Sequence, residues 1–203
     1  MDVLLKEVHL AAVRAAADVP SRPSDGSFLE ATLEAALVSH LPGRSTTAQQ
    51  RRRFDLAGYE PSPHGVDIAW APCDATLVGI EVKVTDVLDA LFDVVKLATA
   101  VAQDRVVLGI CAVAATRSQW SRGDPMTTLA TDIEPWRLRT TEELLVGPAR
   151  RAVVVDRGPR PVTVPSTFET FGLGDIPMPH AATHTLRLVG VRAWPNAPLV
   201  MLG

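Results

Sequence analysis

The chain has 203 residues, 47% apolar and 21% charged, which suits one domain with a real core, or one domain plus a small appendage, and excludes a disordered polypeptide. Its net charge of −3 provides no global basic field, so any binding of nucleic acid has to come from a local patch. The longest uninterrupted apolar run, VVLGICAVAA, is about ten residues and too short to span a bilayer.

Residues 3–17 have the spacing of an amphipathic helix, and the proline- and glycine-bearing run DVPSRPSDG ends it. A second helix is expected over residues 27–41, SFLEATLEAALVSHL. Ser27 is its N-cap, with Glu30 three residues on in a capping-box pattern. Leu29, Leu33, Ala36, Leu37 and Leu41 form its apolar face, and Pro42-Gly43 stops it. Strands follow over residues 47–56, with Arg51-Arg52-Arg53 in or beside the first, then over 65–71 and 76–84. The short connection holding Pro72 and Asp74 makes the last two a hairpin. TDVLDALFDVVKLATAVAQD reads as a helix capped by Thr85 or Asp86, with Leu88, Leu91, Val95, Ala98 and Ala102 as its core stripe. Residues 105–115 form a continuous apolar strand, which after a helix suggests a parallel, central position. Beyond it, SQWSRGDPMTTLATDIEPW reads as loop, TTEELLVGPAR as a short capped helix, and AVVVD, PVTV and THTLRLVGVRAW as strands.

The hairpin GVDIAWAPCDATLVGIEVKV carries charge where burial is expected. Side chains alternate along a strand, so Val78, Ile80, Val82 and Val84 share one face while Leu77, Gly79, Glu81 and Lys83 share the other. On the first strand Val66, Ile68 and Trp70 oppose Gly65, Asp67, Ala69 and Ala71. Pairing the strands can therefore bring Asp67 and Glu81 to one side among small neighbours. Converging carboxylates repel, and a hard divalent cation such as Mg²⁺ or Mn²⁺ relieves them. A lysine beside them can orient water or offset phosphate charge. The plainer alternative is a half-exposed ion pair. Lysine usage argues against that alternative, because the chain has 17 arginines and only 3 lysines, Lys6, Lys83 and Lys96. A mere surface pair would not need the compact, tunable charge of lysine.

Asp67, then Glu81-Val82-Lys83 on the next strand, lying between two helices, resembles the PD-(D/E)XK nuclease superfamily, whose core runs helix, three strands, helix, strand. The resemblance covers residues 27–115, fewer than half of the chain, and departs from the motif at Val66, which stands where the proline would be. It implies an α/β fold with a restriction-endonuclease-like core and a mixed central sheet, to which the C-terminal strands read from the residues are extra. The expected division is an N-terminal helix (1–20), a nuclease core (24–116) and a C-terminal elaboration packed on the same domain (117–203), the resemblance covering the core alone. The resemblance implies a metal-dependent nuclease acting on DNA in preference to RNA, with Asp67 and Glu81 holding Mg²⁺ or Mn²⁺ and Lys83 placing the attacking water. Glu30 would be a further metal ligand from the first core helix, with Glu34 in reserve. Lys96 would contact the phosphate from the helix after the third strand. Glu30 also reads as the capping-box partner of Ser27 alone, and Lys96 as a solvated helix lysine. The rival function is a catalytically inactive protein of the same fold that binds nucleic acid or a protein partner. Many enzymes of this fold are dimers, which leaves a homodimer open.

Other constellations are weaker. The triple arginine suits either phosphate contacts or a guarded strand edge, and Arg150-Arg151 is a smaller basic pair. His180 and His184 have a zinc-like spacing only if they share a helix, and their surroundings read as loop. Trp120, Trp136 and Trp194 suit either the core, which is the default, or stacking on bases. Two cysteines, Cys73 and Cys111, cannot form a disulfide framework and are expected as buried, reduced thiols. The charged start MDVLLKEVHLAAVRAAADV has no clean apolar core of a signal peptide, so a cytoplasmic location without membrane association is expected.

Overall fold

The protein is described from a computed structural model covering residues 3–20, 30–46, 53–54, 64–73, 76–84, 87–120, 125–131, 136–144, 162–181, 183–194 and 197–202. Helices α1 (Val3–Asp18) and α2 (Glu30–His40) form where their periodicity foretells. Leu5, Val8, Ala11, Ala12, Ala15 and Ala16 of α1 and Leu33 and Leu37 of α2 are buried, and with Leu41 they cover one sheet face. Ser27 and Leu29 lie outside the described residues.

The first strand, β1 (Arg44–Thr46), comes earlier than expected, and residues 47–52 lie outside the described set. A two-residue ribbon of β2 (Arg53–Phe54) and β3 (His64–Gly65) precedes β4 (Ile68–Cys73) and β5 (Thr76–Val84). The expected strand 65–71 is thus broken at Val66 and Asp67. The break turns Val66 to the opposite face from Ile68 and Trp70, and Asp67 sits in the gap rather than in the ladder. Helix α3 (Val87–Ala102) then leads to β6 (Leu108–Thr116), which pairs parallel with β5 as the continuous apolar run suggests.

The C-terminal half joins the same sheet. Strands β9 (Thr167–Pro177) and β10 (His184–Arg192) extend it from β6, and β7 (Arg137–Thr140) closes the far edge. The order β1-β4-β5-β6-β10-β9-β7 makes a mixed seven-stranded sheet in an α/β protein, and β5–β6 is its parallel pair. β8 (Val162–Pro165) pairs with β11 (Leu199–Leu202) in a separate ribbon.

Several expectations need correction. The expected loop after β6 instead holds α4 (Arg117–Trp120), which begins one residue before it, and α5 (Pro125–Thr131), whereas α6 (Thr141–Leu144) forms inside the short helix expected from TTEELLVGPAR. Pro125 opens α5, a position where its missing N–H costs nothing, and Met126, Leu129 and Ala130 are buried at helical spacing. Strand β9 escapes a period-two reading because a bulge interrupts it opposite Arg187–Val189 and Gly174 takes φ +86°. Strands β7 and β11 are also additions. AVVVD lies outside the described residues. No described helix is long and apolar enough to cross a membrane.

Helix α3 is buried on almost every side from Ala90 to Val101, not on one stripe. The sheet lies beneath it, and Val164, Phe168, Met126 and Leu129 share its core. Two glycines bring it close. Gly79 and Gly109 are register partners on β5 and β6, and both lie under Leu97. A Cβ on Gly109 would stand 2.7 Å from Leu97 Cβ, an atom fixed to the helix backbone. Gly109→Ala is therefore expected to destabilise the fold by about 1–3 kcal/mol through overpacking. A thermal melt matching wild type would remove the close approach as an account of this glycine pair.

Candidate active site at the end of the central hairpin

Strand β5 outlasts β4. The β4–β5 ladder begins at Ile68↔Ile80, so the amides of Val82 and Val84 on that side have no β4 partner. Site carboxylates take both. Asp67 Oδ2 accepts the Val82 N–H at 2.9 Å, and Glu30 Oε2 accepts the Val84 N–H at 3.4 Å. The strand break at Asp67 and the start of α2 thus deliver two acids to one strand end, because each satisfies a backbone donor there.

Glu34, one turn along α2 from Glu30, joins them. One carboxylate oxygen each from Glu30, Glu34 and Asp67 lies within 4.8 Å of the others. Oxygens around an octahedral Mg²⁺ at about 2.1 Å are roughly 3–4.2 Å apart, so small side-chain adjustments would let the set hold such an ion. The all-oxygen donor set suits Mg²⁺ or Mn²⁺ rather than a thiolate- or imidazole-seeking metal.

Glu81 and the two lysines sit on the α3 side of β5. Glu81, only 1% exposed, forms an ion pair through Oε1 with Lys96 Nζ at 2.8 Å. It is not among the three clustered carboxylates. Lys83 Nζ lies 3.7 Å from Glu30 Oε1 and 3.6 Å from Asp93 Oδ2. Lys96 also faces Asp93 Oδ1 at 3.3 Å. All five expected site residues thus belong to one charged network at the end of β5, with two further acids. Lys96 is buried rather than solvated, and Glu30 reaches across to β5.

Asp93 was not singled out from the sequence. It is 2% exposed between buried Phe92 and Val94, a burial that the packing around α3 reveals and the sequence of the helix does not. Glu34 was visible at i+4 from Glu30.

Burial raises the carboxyl pKa of Glu30; Asp67 and Asp93 add to the rise, while Lys83 and the Val84 amide oppose it. Burial pushes Glu81 well up, against Lys96, with Asp93 and Asp67 adding. Asp93 also rises, chiefly by burial, against the pull of Lys96 and Lys83. Burial alone would lower both lysines. Asp93 and Glu30 first among the acids around Lys83, and Glu81 and Asp93 around Lys96, reverse that and raise them. Both lysines are therefore ammonium ions at neutral pH.

The remaining constellations fall apart. His184 opens β10 and His180 lies in the turn before it, so the two do not share a helix. Arg51, Arg52, Arg150 and Arg151 lie outside the described residues. Trp120 is buried beneath Arg187, Trp136 packs against Phe171 and Arg192, and Trp194 is exposed. Cys73 is exposed at the end of β4, contrary to expectation, where it pairs with Thr76 at the turn end of the hairpin. Cys111 is buried opposite Glu81. Comparison of the chain with protein-family models, with curated proteins and with solved structures finds no match.

Proposed function

We propose that the protein is a metal-dependent phosphodiester hydrolase of the PD-(D/E)XK type acting on nucleic acid, DNA in preference to RNA. One observation carries the reading: three carboxylates from α2 and the Asp67 break gather within 4.8 Å, with the Lys83 ammonium 3.7 Å from one of them. The succession α2, β1, β4, β5, α3, β6 supports a restriction-endonuclease-like core, with the β2–β3 ribbon inserted in it.

Glu30, Glu34 and Asp67 would hold the ion. Bound there, a hard divalent cation supplies Lewis-acid charge against the oxygens of a phosphate. Lys83 stands beside that site as an ammonium ion, so its role is to donate hydrogen bonds and offset negative charge rather than to remove a proton. Lys96 keeps Glu81 compensated, and Glu81 thereby fixes the lysine between β5 and α3.

Mg²⁺ or Mn²⁺ is expected to raise the melting temperature, since the folded chain alone assembles the oxygens. At a hundredfold excess over Kd the gain would be about 2.7 kcal/mol. Asp67→Asn should keep an acceptor for the Val82 amide, so the metal-free variant melts no lower than wild type while its metal response shrinks. Differential scanning calorimetry with and without Mn²⁺, beside cleavage of plasmid and oligonucleotide substrates, tests this. A wild type indifferent to Mn²⁺ that cuts no DNA or RNA would leave the reading without support.

The second reading is an inactive protein of the same fold. The engagement of Glu81 with Lys96, away from the clustered oxygens, favours it. Metal binding without cleavage is its signature.

A further inference from the structure

We propose that Asp93 is a positioning residue that draws the Lys83 ammonium toward α3 against the pull of Glu30 and, with Glu81, keeps Lys96 there, so that a divalent cation can compete for the Glu30, Glu34 and Asp67 oxygens. The inference rests on the cation-site reading above and adds a role for a side chain that is not itself a ligand.

Asp93 is the point where the two lysines meet. Its Oδ1 faces Lys96 at 3.3 Å and its Oδ2 faces Lys83 at 3.6 Å, in a side chain 3% exposed. Lys83 is poised between two anions, Asp93 at 3.6 Å and Glu30 at 3.7 Å. Lys96 has Glu81 at 2.8 Å as its closer acid, so Asp93 matters most to Lys83. An ammonium and a divalent cation compete for the same carboxylate oxygens. Lys83 already lies against Glu30, and the pull of Asp93 from α3 offsets that. With Asp93 neutralised, the remaining anions around Lys83 include Glu30 and Asp67, and its charge shifts onto the oxygens the cation needs. The close seating of α3 over Gly79 and Gly109 puts Asp93 within reach of β5 and so fixes this balance.

The test is the affinity of the folded protein for Mn²⁺ near neutral pH, read from the electron paramagnetic resonance signal of free Mn²⁺. Asp93→Asn should bind about tenfold more weakly or worse, since an ammonium drawn toward the site acts at a few ångströms in a partly desolvated setting. Adding Lys83→Met to Asp93→Asn should restore most of the affinity, because the loss runs through that lysine. Asp93→Glu should bind between the wild type and Asp93→Asn. A merely structural Asp93 predicts a lower melting temperature with unchanged Mn²⁺ affinity in the folded fraction. That result, or a loss that Lys83→Met does not relieve, overturns the inference while saturable uptake by the wild type keeps the cation site. No uptake by the wild type overturns both. Should Asp93→Asn fail to fold, a crystal structure of the Mn²⁺-loaded wild type decides: Lys83 Nζ still beside Asp93 supports the role, and Lys83 Nζ on Glu30 and away from Asp93 overturns it.

Discussion

Lys83→Ala is expected to lower phosphodiester hydrolysis by roughly 10²- to 10³-fold, the usual cost of removing one positioned donor from developing negative charge. Mn²⁺ binding should stay largely intact, because Lys83 supplies no ligand oxygen and Asp93 already draws its charge aside. Single-turnover cleavage rates and Mn²⁺ titrations on the same preparations separate the two effects. A structural ion pair predicts the opposite pattern: a lower melting temperature with no change in turnover of the folded fraction. An Arg substitution sharpens the point. Lys83→Arg keeps the charge but replaces a compact ammonium with a planar fork, so partial activity at best is expected.

The second large effect is on stability. Lys96→Met strands the Glu81 carboxylate in a core where it is 1% exposed, with Asp93 adding repulsion. Breaking one partner of such a pair costs about 3–5 kcal/mol, whereas replacing both by uncharged groups is often neutral. For a chain of this size that is a fall of roughly 6–20 °C in melting temperature. Glu81→Gln combined with Lys96→Met should recover most of it. Calorimetry on the single and double variants measures the coupling directly. Additive losses would mean that the 2.8 Å contact contributes little. Cleavage by the double variant carries further information: activity returning with the fold would place Glu81 and Lys96 in the scaffold, and activity staying lost would place them in the chemistry.

How far the sequence reveals this arrangement depends on what each feature requires. The alternation of β5 is local, and Val78, Ile80 and Val82 do bury on one face while Glu81 lies on the other. The parallel β5–β6 pair is legible for the same reason, since a strand covered on both faces must be apolar throughout. The arrangement of charges is not local. Whether Glu81 meets Asp67 or Lys96 depends on how closely α3 descends on the sheet, which Gly79 and Gly109 set across the β5–β6 pair. A one-strand reading also hides the break at Val66 and Asp67, because Val-Asp-Ile alternates correctly in either case. Asp93 looks like a solvated helix acid until α3 is known to be covered by α5 and the β8 region as well as by the sheet. Strand β9 is lost to its bulge and glycines, which break the period on which strand recognition depends.

The two cysteines bear on how the site can be followed over time. Cys111 lies in β6 opposite Glu81, wholly buried, with its thiol directed at the Ala90 carbonyl of α3. Burial, with the charges of Asp93 and Glu81, holds that thiol well above its ordinary pKa, so it is inert while the helix is seated. Cys73 is exposed at the other end of the hairpin and meets reagent freely. One chain therefore contains both a reference thiol and a thiol whose modification requires α3 to lift. The same lifting separates Asp93 and Lys96 from β5, so slow alkylation of Cys111 measures how often the charged network comes apart.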